Sequence, residues 1–248
     1  MCVQKQNIRH YLGQTVTVRI DRPMGYDHHG IVYPVNYGYL PGTLAADGEP
    51  QDAYILGVTK PLAEFTGTVI AIAERQNDCE DKLIVVPQGH LLHQAQIAEA
   101  IHFQEQYFDT YIHALFQKSC GVLPYRNTPN GQEYLIVYQQ GSQSWSLPKG
   151  RMEPFETEQE TALRELQEET GLTARLDSIP PVRVQYPIFT IGQKEVLFFA
   201  ARVTGHPIPR PGEIAHCQWV NAEALSHYLH PDTANICNNL ISKLTVRQ

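Results

Sequence analysis

The sequence predicts two domains of different fold class, a β-rich, barrel-like N-terminal domain and an α/β C-terminal domain. The first half carries short strand patterns separated by Gly, Pro and Asp turns. Residues 91–116 then contain neither Gly nor Pro and space their apolar side chains as a helix does. Beyond them, strand and helix patterns alternate. We therefore place the domains at residues 1–110 and 111–248, with the change of pattern near residues 109–118.

The N-terminal domain is predicted to hold four strands followed by one long helix or two abutting ones. Residues 14–20 alternate polar and apolar side chains, as a half-buried strand does. The other strands are predicted at residues 53–58, 67–73 and 82–86. The helical prediction for residues 91–116 depends on four apolar residues: Ile97, Ile101, Phe108 and Ile112.

The C-terminal domain is predicted to alternate strands and helices. Strands are predicted at residues 121–125, 134–139, 182–185, 196–203 and 216–220. Helices are predicted within residues 150–172 and at residues 222–229 and 232–244.

Composition narrows the class of partner. The chain has 248 residues, an apolar fraction of 42% and a net charge of -7, which argues against a nonspecific nucleic-acid binder. A phosphorylated small molecule stays compatible because metal ions supply positive charge locally, and a 5′-phosphorylated RNA end is the one nucleic acid we retain. Five scattered cysteines without CxxC spacing, and no leader-like or membrane-spanning apolar run, predict a cytoplasmic protein. A homo-oligomer is left open.

A helix is predicted within residues 150–172. Thr157 and Glu160 form a capping box that starts it, and Gly171 is the left-handed residue expected to end it. Its buried side is predicted to consist of three apolar residues: Ala162, Leu163 and Leu166.

Three glutamates of this helix predict a metal site. Glu165, Glu168 and Glu169 stand at i, i+3 and i+4, so their carboxylates crowd one face and repel one another. A hard divalent cation with oxygen ligands removes that repulsion. Mg²⁺ is predicted, with Mn²⁺ as a substitute, because Mg²⁺ also coordinates phosphate oxygens and keeps waters that can attack phosphorus. The alternative, a solvated acidic face, does not account for the fixed offsets of Gly150 and Arg164.

The same segment resembles the signature of the Nudix hydrolases, G-x5-E-x7-R-E-U-x-E-E-x-G-U with U apolar. Every specified position matches: Gly150, Glu156, Arg164, Glu165, Leu166, Glu168, Glu169, Gly171 and Leu172. The resemblance covers about residues 113–248 and implies an α/β/α sandwich around a mixed sheet. It implies that the three glutamates bind metal or activate water at a site that includes Gly150, that Arg164 orients one of them, and that Glu156 supports the cluster. Glu213 lies where many members carry a further glutamate, with a surface-loop carboxylate as the alternative.

Residues around this segment predict contacts with phosphate and base. Lys149 can neutralise phosphate charge beside the metal. Trp145 and Tyr186 can stack on a base, or they can be ordinary strand aromatics. Three features resemble the diadenosine-polyphosphate hydrolase branch of the family: Trp-x-x-Pro-Lys-Gly, Lys194-Glu195-Val196 and Glu213…Trp219. That branch implies water attack on a dinucleoside tetraphosphate and a second phosphate contact from Lys194.

A second acidic constellation lies in the N-terminal half. Asp47, Glu49 and Asp52 can gather divalent metals at a loop, while neighbouring tyrosines and a lysine can hold phosphate oxygens. The residues alone favour the alternative, an acidic turn between strands, because Asp-Gly-Glu-Pro is also good turn sequence.

The order of motifs changes that balance. Four occur in sequence: Ile20-Asp-Arg22-Pro-Met, Tyr-Pro-x-Asn-Tyr-Gly-Tyr, Asp-Gly-Glu-Pro-x-Asp and Lys82-Leu-Ile-Val-Val-Pro87. Together they resemble soluble family I inorganic pyrophosphatases over about residues 14–108. The resemblance implies a small five-stranded, OB-like barrel with a flanking helix. It also implies phosphate contacts from Arg22, Tyr37 and Lys82. The implied metal ligands are Asp47, Glu49, Asp52 and either Glu80 or Asp81.

The N-terminal half also departs from that family. Glu49 replaces the usual aspartate, and the acid two residues before Lys82 is Glu80. The family's leading segment and the Tyr-Lys pair after the helix have no counterpart in this chain. Pyrophosphatase activity and a scaffold, ligand-sensing or dimerising role therefore both stay open.

These features predict a Mg²⁺-dependent hydrolase that cleaves a phosphoanhydride bond, with a dinucleoside polyphosphate as the leading substrate. An alternative is pyrophosphate release from a nucleoside triphosphate or a 5′-triphosphorylated RNA, coupled to pyrophosphate hydrolysis by the N-terminal half. An alternative of another class is a nucleotide-sensing regulatory module whose N-terminal domain is not catalytic.

Overall fold

The computed structural model describes residues 7–245, and the chain divides into two compact units. One unit is Met1–Gln117 with Pro187–Lys194, and the other is Lys118–Tyr186 with Glu195–Gln248. The described part leaves out residues 1–6 and residues 246–248. The first of these ranges belongs to the N-terminal segment that is predicted to contain no leader-like apolar run. The domain boundary predicted after residue 110 stays a prediction. Within residues 7–245, no helix has the length and apolar character needed to span a membrane.

The first unit is a closed barrel. After a 3₁₀ turn at Arg9–Tyr11, its strands are β1 (Thr15–Arg22), β2 (Asp27–His28), β3 (Ile31–Val32), β4 (Asn36–Tyr39), β5 (Asp52–Ile55), β6 (Glu64–Arg75), β7 (Lys82–Val86) and β8 (Thr110–Ala114). Five strands pair in the order β1-β4-β5-β7-β6, β6 pairs back to β1, and β8 adds to β6. Strands β2 and β3 form a separate hairpin. The predicted five-stranded barrel with a flanking helix is confirmed.

Two apolar layers hold this unit together. Strand β7 is buried at every position, and its side chains alternate between the layers because successive strand residues point to opposite faces. Leu83 and Val85 pack in one layer, while Ile84 and Val86 pack in the other with helix α1 (Gln94–Glu105).

The helix predicted over residues 91–116 is wrong in its second half. Helix α1 ends at Glu105, and β8 follows it, antiparallel to β6 with Ile112 opposite Ala73. Thr110, Tyr111 and Ile112 are β-branched or aromatic residues that favour strands. Their ladder of hydrogen bonds to β6 outweighs the helical spacing of the apolar residues.

The second unit is built on an eight-stranded sheet. Its strands are β9 (Phe116–Thr128), β10 (Gly131–Gln139), β11 (Ser144–Ser146), β12 (Lys149–Arg151), β13 (Ala174–Leu176), β14 (Val182–Ile188), β15 (Gly192–Val203) and β16 (Ile214–Val220). The main path runs β11-β10-β9-β15-β13, with β12 paired to β9, β14 to β15 and β16 to β10. Its helices are α2 (Glu158–Thr170), α3 (Leu225–Tyr228) and α4 (Pro231–Thr245).

Strand β15 shows why this unit is a three-layer sandwich. Leu197 and Phe199 pack with Ala162 and Leu166 of α2, while the alternate residue Phe198 packs in the cluster that contains α4. A strand buried on both faces needs a helix on each side. The predicted α/β/α architecture is confirmed.

Two local predictions need correction. The helix predicted at residues 222–229 spans only Leu225–Tyr228, because the residues before it form a turn that the Asn221 side chain caps through the Ala224 N–H. Leu163 is half-buried rather than part of the core. Around the helix axis Leu163 lies about 60° from Leu166 and about 100° from Ala162, the two apolar residues that face the sheet, so its side chain lies at the edge of the buried face.

Candidate functional site

Helix α2 begins and ends where its residues predict. The Thr157 hydroxyl accepts the Glu160 N–H at 3.2 Å, and the Glu160 carboxylate accepts the Thr157 N–H at 2.7 Å. Gly171 ends the helix with a left-handed φ of 69°. These fixed ends set the phase of the helix, so that Glu165 and Glu169 are buried.

Strand β12 brings Gly150 against the carboxyl group of Glu165. It pairs antiparallel to β9 with Gly150 opposite Cys120. A methyl group added to Gly150 would overlap the Glu165 carboxyl group. Gly150 does not have a left-handed φ, so close approach rather than backbone conformation requires glycine here.

Arg164 ties two predicted site glutamates together. Its Nη1 donates to Glu165 Oε1 at 2.8 Å, and its Nη2 donates to Glu156 Oε2 at 3.0 Å. Nη2 also donates to the Arg151 carbonyl at 3.0 Å, which joins α2 to β12. Burial opposes ionisation of Glu156, but hydrogen bonds from Arg164 and Thr161 lower its pKa overall. Arg164 therefore lies where it can orient Glu165.

Glu169 is the most buried acid of the cluster, with 1% of its surface exposed. Burial raises its pKa to about 8, Lys149 opposes the rise, and the charges of Glu165 and Glu213 add to it. Burial also raises the pKa of Glu165. Among the described residues, Glu169 Oε2 has no hydrogen-bond partner. A buried carboxylate oxygen in that position needs either a proton or a cation.

An arginine joins the exposed edge of the cluster. Arg210 Nη1 lies 3.1 Å from Glu168 Oε2 and 3.3 Å from Glu213 Oε2. The fold therefore brings Glu213 beside the helix glutamates, 44 positions after Glu169 in the chain.

The donor set fits a hard divalent cation. Within residues 7–245, no three His, Cys, Asp or Glu side chains close around one point, because Glu165 faces Arg164 and Glu168 faces Arg210. All the donors are nevertheless carboxylate oxygens, which Mg²⁺ and Mn²⁺ prefer. Within the described residues, the buried Oε2 of Glu169 has no hydrogen-bond partner, which is the state of an oxygen that such an ion would coordinate.

A cavity of about 810 Å³ lies beside this cluster in the same unit, with Lys149 in its wall. Tyr186 also lines it, so two predicted substrate residues share one cavity. Asn235 and Asn239 contribute amides from one face of α4, four residues apart. The two asparagines were not predicted as site residues. The sequence feature that points to them is their i, i+4 spacing within the helix predicted at residues 232–244.

Two other predicted residues lie elsewhere. Trp145 is half-buried on β11 and packs edge-on against Tyr138 at 5.3 Å and Tyr228 at 5.6 Å. That packing matches the strand-aromatic alternative. Lys194 does not line the cavity that contains Lys149, and its segment groups with the first unit.

The first unit holds a polar cavity of about 770 Å³. It gathers the predicted residues of the N-terminal half: Arg22, Tyr37, Asp47, Glu49, Asp52, Glu80 and Lys82. Asp81 instead accepts the Arg75 backbone N–H at 3.1 Å, so Glu80 is the acid that faces the cavity. Glu49 donates its backbone N–H to Asp47, as an acidic turn does, and both are exposed.

Lysine and arginine side chains of the protein itself already pair with several carboxylates in and around this cavity. Lys82 is 2% exposed, and its Nζ lies 2.6 Å from both Asp52 and Glu80. Arg75 is equally buried, pairs with Glu105 at 2.7 Å and lies over the Phe108 ring at 3.5 Å. Arg75 was not predicted, because its partner on α1 is distant in sequence.

Comparison with known proteins identifies both halves. Residues 116–240 match the family model of the NUDIX domain, and residues 4–131 match that of inorganic pyrophosphatase. An 8-oxo-(d)GTP phosphatase of Mycolicibacterium smegmatis is 34% identical over 116 residues, 46% of this chain and 35% of that protein. An inorganic pyrophosphatase of Caulobacter vibrioides is 32% identical over 91 residues, 32% of this chain and 50% of that protein. The chain therefore spans a third to a half of the length of these relatives.

Among solved structures, about half of this chain is similar to a C. elegans Ap4A hydrolase in a binary complex. The TM-score is 0.48 and the identity is 20%, with 52% of this chain and 98% of that chain covered.

Proposed function

This chain belongs to the Nudix family through its C-terminal part and to the inorganic pyrophosphatase family through its N-terminal part, and on that premise we propose that it is a Mg²⁺-dependent hydrolase of nucleoside triphosphates. At the C-terminal site, one water molecule cleaves the phosphoanhydride bond between the α- and β-phosphates, which releases a nucleoside monophosphate and pyrophosphate. The N-terminal site then hydrolyses the pyrophosphate to two phosphates.

One observation carries the C-terminal assignment: a buried carboxylate oxygen that has no hydrogen-bond partner among residues 7–245 lies beside a lysine that lines a cavity. Glu169 Oε2 is that oxygen, and Lys149 is near enough to oppose the rise in the Glu169 pKa. An acidic cluster with an adjacent cation matches a phosphate chain that arrives with a divalent metal.

The chain's own residues have separate tasks in this proposal. Glu165, Glu168 and Glu169 hold the metal, which when bound polarises phosphate oxygens and lowers the pKa of a bound water. Arg164 keeps Glu165 in position through its 2.8 Å hydrogen bond. Lys149 neutralises charge on the phosphate chain. Because burial keeps Glu169 protonated near neutral pH, it must lose that proton as the metal binds.

The cavity supports a substrate with a nucleobase. Tyr186 offers an aromatic face, and the amides of Gln185, Asn235 and Asn239 offer donors and acceptors for the polar edge of a base. The relative from M. smegmatis is named for 8-oxo-(d)GTP, so 8-oxo-dGTP is the first substrate to test.

A dinucleoside polyphosphate is the second substrate class. The Trp-x-x-Pro-Lys-Gly run that ends in Lys149 and Gly150 favours it. A triphosphate is preferred because its cleavage yields pyrophosphate, the substrate of the family to which the N-terminal part belongs. Dinucleoside tetraphosphate cleavage yields mononucleotides instead.

A substrate panel with product identification by mass spectrometry tests the C-terminal assignment. With Mg²⁺, wild-type protein is expected to convert 8-oxo-dGTP or GTP to the monophosphate. Glu168→Gln and Glu169→Gln are expected to lower kcat by orders of magnitude with the fold intact, while Glu223→Gln, at an exposed position, keeps wild-type turnover. Unchanged turnover in both site variants would overturn the assignment. Nucleotide binding without turnover in the wild type would favour the regulatory-module alternative.

The convergence of Arg22, Tyr37, Asp52 and Lys82 in one cavity supports pyrophosphate hydrolysis by the N-terminal unit. Phosphate release from pyrophosphate and Mg²⁺ tests it in the full chain. Asp52→Asn is expected to abolish release, and Asp109→Asn, at an exposed position, is expected to leave it unchanged. If wild-type protein releases no phosphate, the N-terminal unit is a scaffold or sensor.

A further inference from the structure

Arg210 belongs to a loop that is fixed to the end of helix α2. The loop joins β15 to β16 and is held by two backbone hydrogen bonds. The N–H of Ile208 donates to the Thr170 carbonyl at 2.7 Å, and the N–H of Arg210 donates to the Glu169 carbonyl at 3.1 Å. The backbone of Arg210 is therefore placed at the carboxylate cluster, while its side chain stays 48% exposed.

The Arg210 guanidinium lies between two carboxylates. Nη1 is 3.1 Å from Glu168 Oε2 and 3.3 Å from Glu213 Oε2. The other nearby guanidinium, that of Arg164, is committed to Glu156 and approaches Glu168 only at 3.5 Å. Arg210 is therefore the nearer of these two guanidinium groups to Glu168.

These ion pairs are suited to exchange. The side chains of Arg210, Glu168 and Glu213 are all between 39% and 48% exposed. Exposed ion pairs contribute little net stability. A divalent cation that needs Glu168 as a ligand can therefore displace the guanidinium without disturbing the core, and the loop keeps the freed side chain beside the site.

We infer that Arg210 switches partners, pairing with Glu168 and Glu213 before the metal arrives and binding the phosphate chain of the substrate afterwards. The planar guanidinium forms paired hydrogen bonds to phosphate oxygens as well as to carboxylates. The inference that Arg210 binds phosphate rests on the proposed function of the same site, whereas the inference that Arg210 competes with the metal for Glu168 does not.

Arg210→Ala separates the two halves of this inference by moving two affinities in opposite directions. Without substrate, Mn²⁺ should bind about 2- to 5-fold more tightly, because a competing cation is gone. With Mg²⁺ present, α,β-methylene-GTP should bind about 10-fold more weakly, because a charged hydrogen-bond donor is lost. In EDTA the analogue should bind wild type and variant equally, since Arg210 is then held by the glutamates.

Mn²⁺ binding is measured by electron paramagnetic resonance of the free ion, and analogue binding by calorimetry. Glu169→Gln removes a proposed ligand, so the Mn²⁺ that this variant still binds lies outside the site. Arg175→Ala is the control substitution at an exposed arginine. Unchanged or weaker Mn²⁺ binding in Arg210→Ala would overturn the competition. Equal analogue binding with Mg²⁺ would overturn the phosphate contact. Neither readout needs turnover, so a catalytically silent wild type would refute the proposed function and leave this test intact.

Discussion

Substituting Gly150 by alanine tests whether close approach of β12 to helix α2 shapes the site. The new methyl group would overlap the Glu165 carboxyl group. That group would have to retreat by about 1.4 Å to restore ordinary contact at 3.4 Å. Such a shift breaks the 2.8 Å hydrogen bond from Arg164 and moves a proposed metal ligand. A misplacement of about 1 Å at a reacting centre costs on the order of 100-fold in rate, so we expect kcat to fall by about that factor.

A second substitution makes this prediction specific. Glu165→Asp shortens the side chain by one methylene and makes room for the methyl group, so the double variant should be faster than Gly150→Ala alone. The two effects should therefore be strongly non-additive in a double-mutant cycle of kcat. Gly141→Ala is the control, because an added methyl group there meets no described atom within 4 Å and the φ of Gly141 is not left-handed. Wild-type kcat in Gly150→Ala, or strictly additive effects, would refute the close approach.

Burial and helix capping support four further predictions. Mg²⁺ affinity measured by calorimetry should rise with pH up to about 8, because the Glu169 proton must leave before the metal binds. Glu169→Gln should show no such rise, because it lacks the titrating carboxyl group. Between pH 4.5 and about 8, Glu169 is protonated in the folded, metal-free protein and ionised in the unfolded chain. The free energy of unfolding, measured by urea titration, should therefore fall as pH rises through this range. Glu105→Gln removes the most buried of the carboxylates that pair with the Arg75 guanidinium and should cost about 3 kcal/mol in urea unfolding, whereas the exposed Glu99→Gln on the same helix should cost little. Thr157→Ala removes the cap of α2 and should cost about 1 kcal/mol.

Local signals were enough to predict helix α2 and its charged face. The capping box of Thr157 with Glu160 and the left-handed Gly171 act within one or two turns of chain, so their geometry follows from spacing alone. The same holds for strand β7, whose five apolar or amphipathic residues are all buried as its pattern predicts.

Contacts between distant segments were not predictable in that way. Arg210 meets Glu168 across 42 positions, and Arg75 meets Glu105 across 30. Local spacing of apolar residues predicts a helix at β8, but pairing with β6, more than thirty residues earlier, makes the segment a strand. In each case the decisive interaction is set by the fold and has no local motif.

Product analysis after incubation of 8-oxo-dGTP with Mg²⁺ and either wild-type protein or Glu169→Gln tests directly whether the carboxylate cluster of α2 catalyses the reaction. The wild type should form 8-oxo-dGMP together with pyrophosphate or phosphate. The variant should form 8-oxo-dGMP at a rate lower by orders of magnitude, while its circular dichroism spectrum should match that of the wild type. Equal rates of 8-oxo-dGMP formation by the two proteins would contradict the assignment of the reaction to this carboxylate cluster.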